Sequence, residues 1–220
     1  MALPPTVPIG KTIAVLSDVH GDLRALEAVL GELGKRDVIE TYVAGDHLFG
    51  GSEPLEVWRR LGAAKAVLAR SLGDLALATL DPDRVAARTD EEREKRERLA
   101  STRRAVGELV LKALAKLPPS LRVTLADGRE VLVVHGAPTD PGVDVTHDLS
   151  DDEMLVLLGH DAADIVVVGG AHVPFQRELP QMRVVGVGPV GQAPEGRNAH
   201  YVLLTPHYEG TRVEEGWVAY

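Results

Sequence analysis

The run Ile13-Ala14-Val15-Leu16, followed at once by Ser17-Asp18-Val19-His20-Gly21-Asp22, decides the fold. Its first half is short, apolar throughout and half β-branched, the pattern of a strand buried on both faces in a parallel sheet. Its second half turns polar, and a helical pattern begins immediately. Leu23, Leu26, Leu30 and Leu33 recur at three- and four-residue spacing, with Gly34 placed to cap the C-terminus. A strand that empties into a helix through a short polar turn opens an α/β unit. Within the turn, the period of two along extended chain points Asp18 and His20 the same way.

Outward from this unit the theme repeats. Val38 to Val43 is a second strand, running into Ala44-Gly45-Asp46, and a helix follows from Pro54 through Leu61. Ala63 to Leu68 reads as a third strand before a loop at Ser71 to Asp74. Strands alternating with helices give a parallel or mixed sheet with helical cover. Residues 81 to 104 differ in kind, with eight basic and seven acidic side chains interspersed. That mixture favours a solvated helix over a nucleic-acid arm. The helix extends to Leu117 on an inner stripe of Leu99, Val106, Val110, Leu114 and Leu117, and Pro118-Pro119 stops it. The segment at about 81–117 reads either as a cap over a site or as a plain surface helix. In the second half, Val123 to Leu125 and Val131 to Val134 flank the hairpin turn Asp127-Gly128, and Asp151 to Leu158 is a short helix capped by Ser150. Ile165 to Val168 is a further buried strand, and Val184 to Val187, His200 to Leu204 and Arg212 to Tyr220 form an antiparallel tail. Neither a repeat nor a low-complexity linker divides residues 1–220, so one domain is expected.

Composition narrows the chemistry. The 220 residues include no Cys, which removes a disulfide framework, a thiolate nucleophile, a zinc ribbon and a cysteine-ligated iron–sulfur cluster. Formal charge is −9, from 24 basic and 33 acidic residues, so no duplex nucleic acid partner is expected. Pro4 and Pro5 fall where a leader needs an apolar core, and no run approaches the ~18 apolar residues of a membrane span. A soluble, cytoplasmic protein with no membrane partner is the expectation. Metal chemistry then falls to His, Asp, Glu or Asn, and eight His are available.

Four apolar strands each end in residues that ligate metals: Asp18 and His20, Asp46, His135, and His172. Taken singly, each has a plain structural explanation: a helix cap for Asp18, a turn for Gly45-Asp46, a core or loop imidazole for His135 and His172. Together they place two carboxylates and three imidazoles at strand ends, where α/β sheets bind their ligands. Each cluster touches a glycine (Gly21, Gly45, Gly136, Gly170) that lets the chain turn sharply there. The N/O donor set suits Mn, Fe, Zn or Ni.

The ordered motifs Ser17-Asp18-Val19-His20-Gly21-Asp22, Gly45-Asp46-His47-Leu48-Phe49-Gly50-Gly51, Val133-Val134-His135-Gly136-Ala137-Pro138 and Val167-Val168-Gly169-Gly170-Ala171-His172-Val173-Pro174 resemble those of the calcineurin-like metallophosphoesterases. More particularly they resemble the small bacterial phosphoesterases of that superfamily. Val185 to Leu204 is similar to the late Gly-rich strand–loop–strand of that group, so the resemblance spans about residues 12 to 204. It implies an α/β sandwich of mixed β-sheets flanked by helices. It also implies a metal-dependent phosphoester hydrolase, a phosphatase or phosphodiesterase, that attacks a small phosphoester or phosphorylated substrate with a metal-activated water. Position by position, it implies Asp18, His20, Asp46 and His172 as ligands of a first divalent metal. Asp46 would bridge to a second metal held also by His135, which makes Asp46 and His135 the catalytic candidates. One or two ions per chain are expected, and two ions about 3.5–4 Å apart clamp a phosphoryl group between them.

Two motifs depart from the family. Where the family has Gly-Asn-His-Asp, this chain has Ser71-Leu72-Gly73-Asp74, with apolar Leu72 at the metal-binding Asn. The family's Gly-His-x-His becomes Gly169-Gly170-Ala171-His172. The second metal position therefore keeps only Asp46 and His135. Asp74, through a shift of its loop, and His47, although alternation points it away, are the candidates for additional metal or phosphate contacts. The alternative function is a catalytically degenerate member that binds metal or a phosphorylated ligand as a sensor or scaffold. His147 reads as a solvated loop residue, His160, His200 and His207 as surface or strand-exit residues, and Trp58 and Trp217 as core or edge aromatics.

Overall fold

The computed structural model describes residues 6–159 and 163–220. Met1 to Pro5, on which the expectation about a leader rested, and His160 lie outside them. The chain order is β1 (Thr6–Val7), β2 (Thr12–Leu16), α1 (Leu23–Leu33), β3 (Val38–Val43), α2 (Pro54–Ala63), β4 (Val67–Leu68) and α3 (Leu72–Thr79). A single 3-10 turn at Pro82–Arg84 leads to α4 (Asp90–Ala115), β5 (Ser120–Leu125), β6 (Glu130–Val134) and α5 (Asp151–Leu158). Then come β7 (Ile165–Val168), β8 (Phe175–Leu179), β9 (Met182–Gly186), β10 (Asn198–His207) and β11 (Gly210–Ala219).

The strands form two mixed sheets, in the orders β11-β10-β2-β3-β4 and β1-β5-β6-β7-β9-β8. In the first, β2 and β3 run parallel with Leu16 beside Val43. In the second, β6, β7 and β9 run parallel, with Val134 beside Val168 and Val168 beside Gly186. The unbroken apolar runs follow from burial on both faces. Ile13 and Val15 of β2 pack between the sheets against Val131, Val133, Ile165 and Val167. Ala14 and Leu16 face the other way, into a cluster with Leu26, Val29 and Leu33 of α1. Across the sandwich, Leu132, Val134, Val166 and Val168 pack with Met154 and Leu158 of α5. Each fully buried Val or Leu contributes about 1.5–3 kcal/mol, and a one-residue slip would exchange the faces, so the register is fixed. The fold is the expected α/β sandwich of mixed sheets flanked by helices.

Boundaries differ where local signals compete. Helix α2 runs on through Ala63, which leaves only Val67–Leu68 of the expected third strand. Strands β1 and β8 escape a pattern reading because β1 has two residues and β8, Phe-Gln-Arg-Glu-Leu, carries charges on an outer strand. Within α4, Gly107 adopts φ 77° and ψ 165° and breaks the helix. The break shifts the buried face, which passes from Leu99, Thr102 and Val106 to Leu111 and Leu114, so Leu111 takes the buried position expected for Val110. Helix α4 packs on α3 and α2, and Arg103 donates a hydrogen bond to the Leu77 carbonyl of α3. The turn at Asp127-Gly128 is as expected, with Gly128 at φ 90°, and Ser150 caps α5 through a reciprocal box with Glu153. Among the described residues no helix is long and apolar enough to cross a membrane.

Candidate metal centre

The carboxyl ends of β2, β3, β6 and β7 meet, and each delivers part of one cluster. Asp18 and His20 follow β2, Asp46 follows β3, His135 follows β6, and His172 follows β7. The backbone is bent against its preference to do this. Asp18 (φ 56°), His20 (φ 51°), Asp46 (φ 51°) and His172 (φ 55°) all occupy the left-handed region. Residues other than Gly pay roughly 1–2 kcal/mol there, so such strain persists only where surroundings hold it. The surroundings are hydrogen bonds: Asp18 N–H to the Gly45 carbonyl at 3.1 Å, His20 N–H to the Asp46 carbonyl at 2.9 Å, and Gly191 N–H to the Asp18 carbonyl at 2.9 Å. The last of these ties the Gly-rich loop between β9 and β10 to the cluster.

Asp18 lies at the centre. Its Oδ1 is 3.3 Å from His172 Nε2, 3.7 Å from His20 Nε2 and 3.8 Å from His135 Nε2. His20 Nε2 and His172 Nε2 are 3.1 Å apart, and His135 Nε2 is 3.7 Å from Asp46 Oδ2. Two groups have their donor atoms within 4.8 Å of one another: Asp18 with His20 and His172, and Asp18 with Asp46 and His135. The shared carboxylate is Asp18, whereas the resemblance assigns the sharing to Asp46.

Each side chain is aimed by a partner. His20 Nδ1 donates to the Phe49 carbonyl at 2.9 Å, which leaves its Nε2 lone pair facing the cluster. His135 Nδ1 is 3.5 Å from Ser17 Oγ. Gly170 N–H donates to Asp18 Oδ2 at 3.1 Å, and Ser71 Oγ donates to Asp46 Oδ1. At Gly73 a Cβ would sit 2.6 Å from Asp46 Oδ1, so only glycine lets the start of α3 approach this carboxylate.

The two supplementary candidates serve elsewhere. Asp74 is buried, and its carboxylate accepts from the backbone N–H of Asp46 (2.9 Å), His47 (3.1 Å) and Ser71 (3.0 Å). His47 is fully buried and donates from Nε2 to the Ala69 carbonyl at 2.7 Å. Its ring is held away from the cluster by that bond, and not by strand alternation, because Asp46 beside it is left-handed rather than extended. Neither side chain belongs to the two groups above. Asp74 instead braces the turn that carries Asp46.

Charge settles around Asp18. Burial pushes its carboxyl up, but the contact with His172, the charges of His135 and His172 and a hydrogen bond from Ser17 outweigh burial and hold it at about 2. The same contact with Asp18 raises His172 above the ordinary imidazole range, against the opposing pull of its own burial. Asp18 Oδ1 is nonetheless buried without a hydrogen bond of acceptable geometry. A buried carboxylate oxygen without a donor is costly. Surrounded by three imidazole nitrogens, it fits a divalent cation held by oxygen and nitrogen donors.

Ser17, Ser71 and Asp144 are functional candidates that the motifs did not single out. Asp144 lies close enough that a Cβ on Gly170 would meet its Oδ1 at 2.5 Å, and its charge acts on His172. His147 is exposed, as expected, and its carbonyl accepts from Arg177. His207 is also exposed. His200 departs from expectation: it is buried on β10, which lies between β2 and β11, with Nε2 2.5 Å from Glu195 Oε1. Trp58 packs against the core, and Trp217 is exposed on the edge strand β11.

A sandwich of two mixed sheets with this cluster at its strand ends defines a metallophosphoesterase type of architecture. The family model of the calcineurin-like phosphoesterase superfamily domain matches residues 12–209, and the chain belongs to that superfamily. Membership supports phosphoester hydrolysis with a divalent metal at the level of the family. An uncharacterized protein of Methanocaldococcus jannaschii is 27% identical over 173 residues, 76% of this chain, and the match spans 65% of that relative's length. The fold is similar to that of a hypothetical protein from Pyrococcus horikoshii, with a TM-score of 0.79 at 21% identity, covering 95% of this chain and 88% of that one. It is also similar to that of a metallophosphoesterase from Sphaerobacter thermophilus, with a TM-score of 0.73 at 22% identity, covering 96% and 89%.

Proposed function

We propose that the protein hydrolyses small phosphoesters with one or two divalent ions held by Asp18, His20, Asp46, His135 and His172. The observation that carries this is Asp18 Oδ1, buried, without a hydrogen bond, and ringed by three imidazole nitrogens at 3.3–3.8 Å. Asp18, His20 and His172 would hold the first ion, and Asp46 and His135, with Asp18 shared, would hold a second. A bound ion supplies Lewis-acid polarisation of a phosphoryl oxygen and lowers the pKa of water. Hydrolysis breaks a P–O ester bond, with the oxygen of water going to phosphorus and a proton to the departing alcohol. The chain's residues set the stage for that exchange: Phe49 and Ser17 orient His20 and His135, and Ser71 and Asp74 hold Asp46 in place. A small, metal-dependent hydrolase built as one domain is the economical form of this proposal.

Metal content together with turnover of bis(4-nitrophenyl) phosphate across Mn, Ni, Fe and Zn tests it. The expected result is bound metal and activity abolished by Asp46→Asn. A protein that is inert with every metal sinks it.

A second reading is favoured by one observation. Leu72 stands where the family places a ligating Asn, so beside the shared Asp18 the second ion has only Asp46 and His135. On that reading the chain binds one ion, or a phosphorylated ligand, without efficient turnover. Stoichiometric metal without hydrolysis would support it.

A further inference from the structure

A cavity of about 560 Å³ begins at Asp46 and His135 and runs away from the cluster between α3 and α4. A phosphoryl group at the cluster occupies only its inner end. Beyond that, the walls are mostly apolar: Phe49 from the loop after β3, Ala76 of α3 with Leu80 just past it, Val85 ahead of α4, Leu99 of α4, and Pro141. Three charged residues of α4, Glu92, Lys95 and Arg96, also line the cavity, and two of them are engaged by backbone groups. Glu92 accepts from the backbone N–H of Arg88 (2.6 Å) and Thr89 (3.1 Å), Arg96 reaches the Val85 carbonyl (3.5 Å), and Lys95 is exposed. The cleft on the opposite, His20 side is different. It holds about 300 Å³ and is polar, with Arg24, Gln192 and Arg197. A further apolar recess of about 370 Å³ opens from His135 between Leu75, Pro119, Leu132 and Pro138, but only the larger cavity also reaches Asp46, so it is the roomier apolar direction for a substituent on a phosphoester held at the cluster. The size of the larger cavity is that of a ligand site, and Phe49 adds an aromatic surface for a flat ring.

We infer that this cavity is a specificity pocket for the organic group of the substrate, and that the preferred substrates are phosphoesters carrying an aryl or heteroaryl group. The inference rests on the proposed metal centre and gives the mixed-charge segment its role, as the far wall of the pocket. A small hydrophilic ester such as a glycerol phosphate leaves the apolar walls in water and gains nothing from them. Burying a ring adds apolar contact worth an affinity gain of about tenfold or more.

The test is calorimetric titration of the full-length, Mn-loaded protein with phenylphosphonate and with methylphosphonate, which share one anionic head. Phenylphosphonate is expected to bind at least about tenfold tighter. Ala76→Phe, which fills the cavity from α3, is expected to erase that advantage. Leu80→Glu, at an exposed lining position, does the same by charge if the larger ring does not fold. Equal affinity of the two phosphonates in the native protein overturns the pocket and leaves the metal centre standing. Failure of both to bind overturns the metal centre and the pocket together.

Discussion

The Nδ1–H of His20 donates to the carbonyl of Phe49 at 2.9 Å, and the same residue pair links the two sides of the cluster. His20 enters the first donor group, while Phe49 lines the cavity that opens from Asp46 and His135. An imidazole fixed through Nδ1 presents Nε2 without rotational cost. His20→Asn lacks the reach to make both contacts at once. Metal affinity is expected to fall by at least about 10–100-fold, measured by competition with a chromophoric chelator, while the circular dichroism spectrum stays native. Unchanged affinity would remove His20 from the ligand set.

Metal loading is expected to release protons. Contact with Asp18 raises His172 above the usual imidazole range, so near pH 6.5 more of it is protonated than of an ordinary His. A cation bound there must displace that proton, and affinity therefore climbs as pH rises towards and through the raised value. Calorimetry at pH 6.5 in buffers of different ionisation enthalpy should give heats that scale with the buffer. In the metal-free protein the same pair contributes to stability with opposite signs of pH dependence. The raised His172 contributes fully below the ordinary imidazole value, and this is lost as pH rises through its folded value. The depressed Asp18 contributes above the ordinary carboxylate range, and this is lost as pH falls towards about 2. The pair is thus most stabilising from about pH 4 to 6.5. Heat signals that ignore the buffer would show that His172 carries no such proton.

Much of this arrangement was legible in the chain. Ile13 to Leu16 had to be buried twice over, because no polar residue interrupts it, and both of its faces are covered. Asp18, His20, Asp46, His135 and His172 announce themselves by residue type at strand ends, and the strands bring their donor atoms together. The supports are harder to read. Ser71 was legible as a loop residue, but its contact with Asp46 depends on α3 approaching over Gly73, a tertiary event with no local signature. His47 beside Asp46 has the right chemistry and the wrong direction, and its bond to Ala69 shows why. The break at Gly107 is a single backbone choice that moves the inner stripe of α4, and periodicity cannot see it coming.

Asp74 is the residue whose loss should cost the most without touching a ligand atom. Its carboxylate accepts from three backbone N–H groups, those of Asp46, His47 and Ser71, in a buried turn. Asp74→Ala strands these donors and breaks the cap of α3. Each unsatisfied buried donor costs about 1–3 kcal/mol, and a total of about 3–5 kcal/mol is expected because they relax together. For a chain of this size that lowers the melting temperature by roughly 6–20 °C. Asp74→Asn keeps one acceptor oxygen and should lose about half as much. A melting temperature within a degree of the native value for Asp74→Ala would show that the turn holds itself.

Leu72→Asn tests whether the missing donor limits the second ion. Leu72 is the first residue of α3, 51% exposed, and lines the cavity beside Asp46 and His135, so substitution should change stability by no more than about 0.5 kcal/mol. An Asn amide oxygen there is a hard donor of the kind the family uses, added to a side that holds Asp46, His135 and the shared Asp18. Metal analysis after dialysis should show the content rising towards two ions per chain, and turnover of bis(4-nitrophenyl) phosphate should rise with it by about tenfold or more, the scale on which a well-placed ligand acts. A rise in metal without a rise in turnover would mean that the second ion is not needed for hydrolysis. No rise in either would place the defect at Gly170-Ala171 instead, where the family's other imidazole is absent and where a side chain on Gly170 (φ 79°) would meet Asp144.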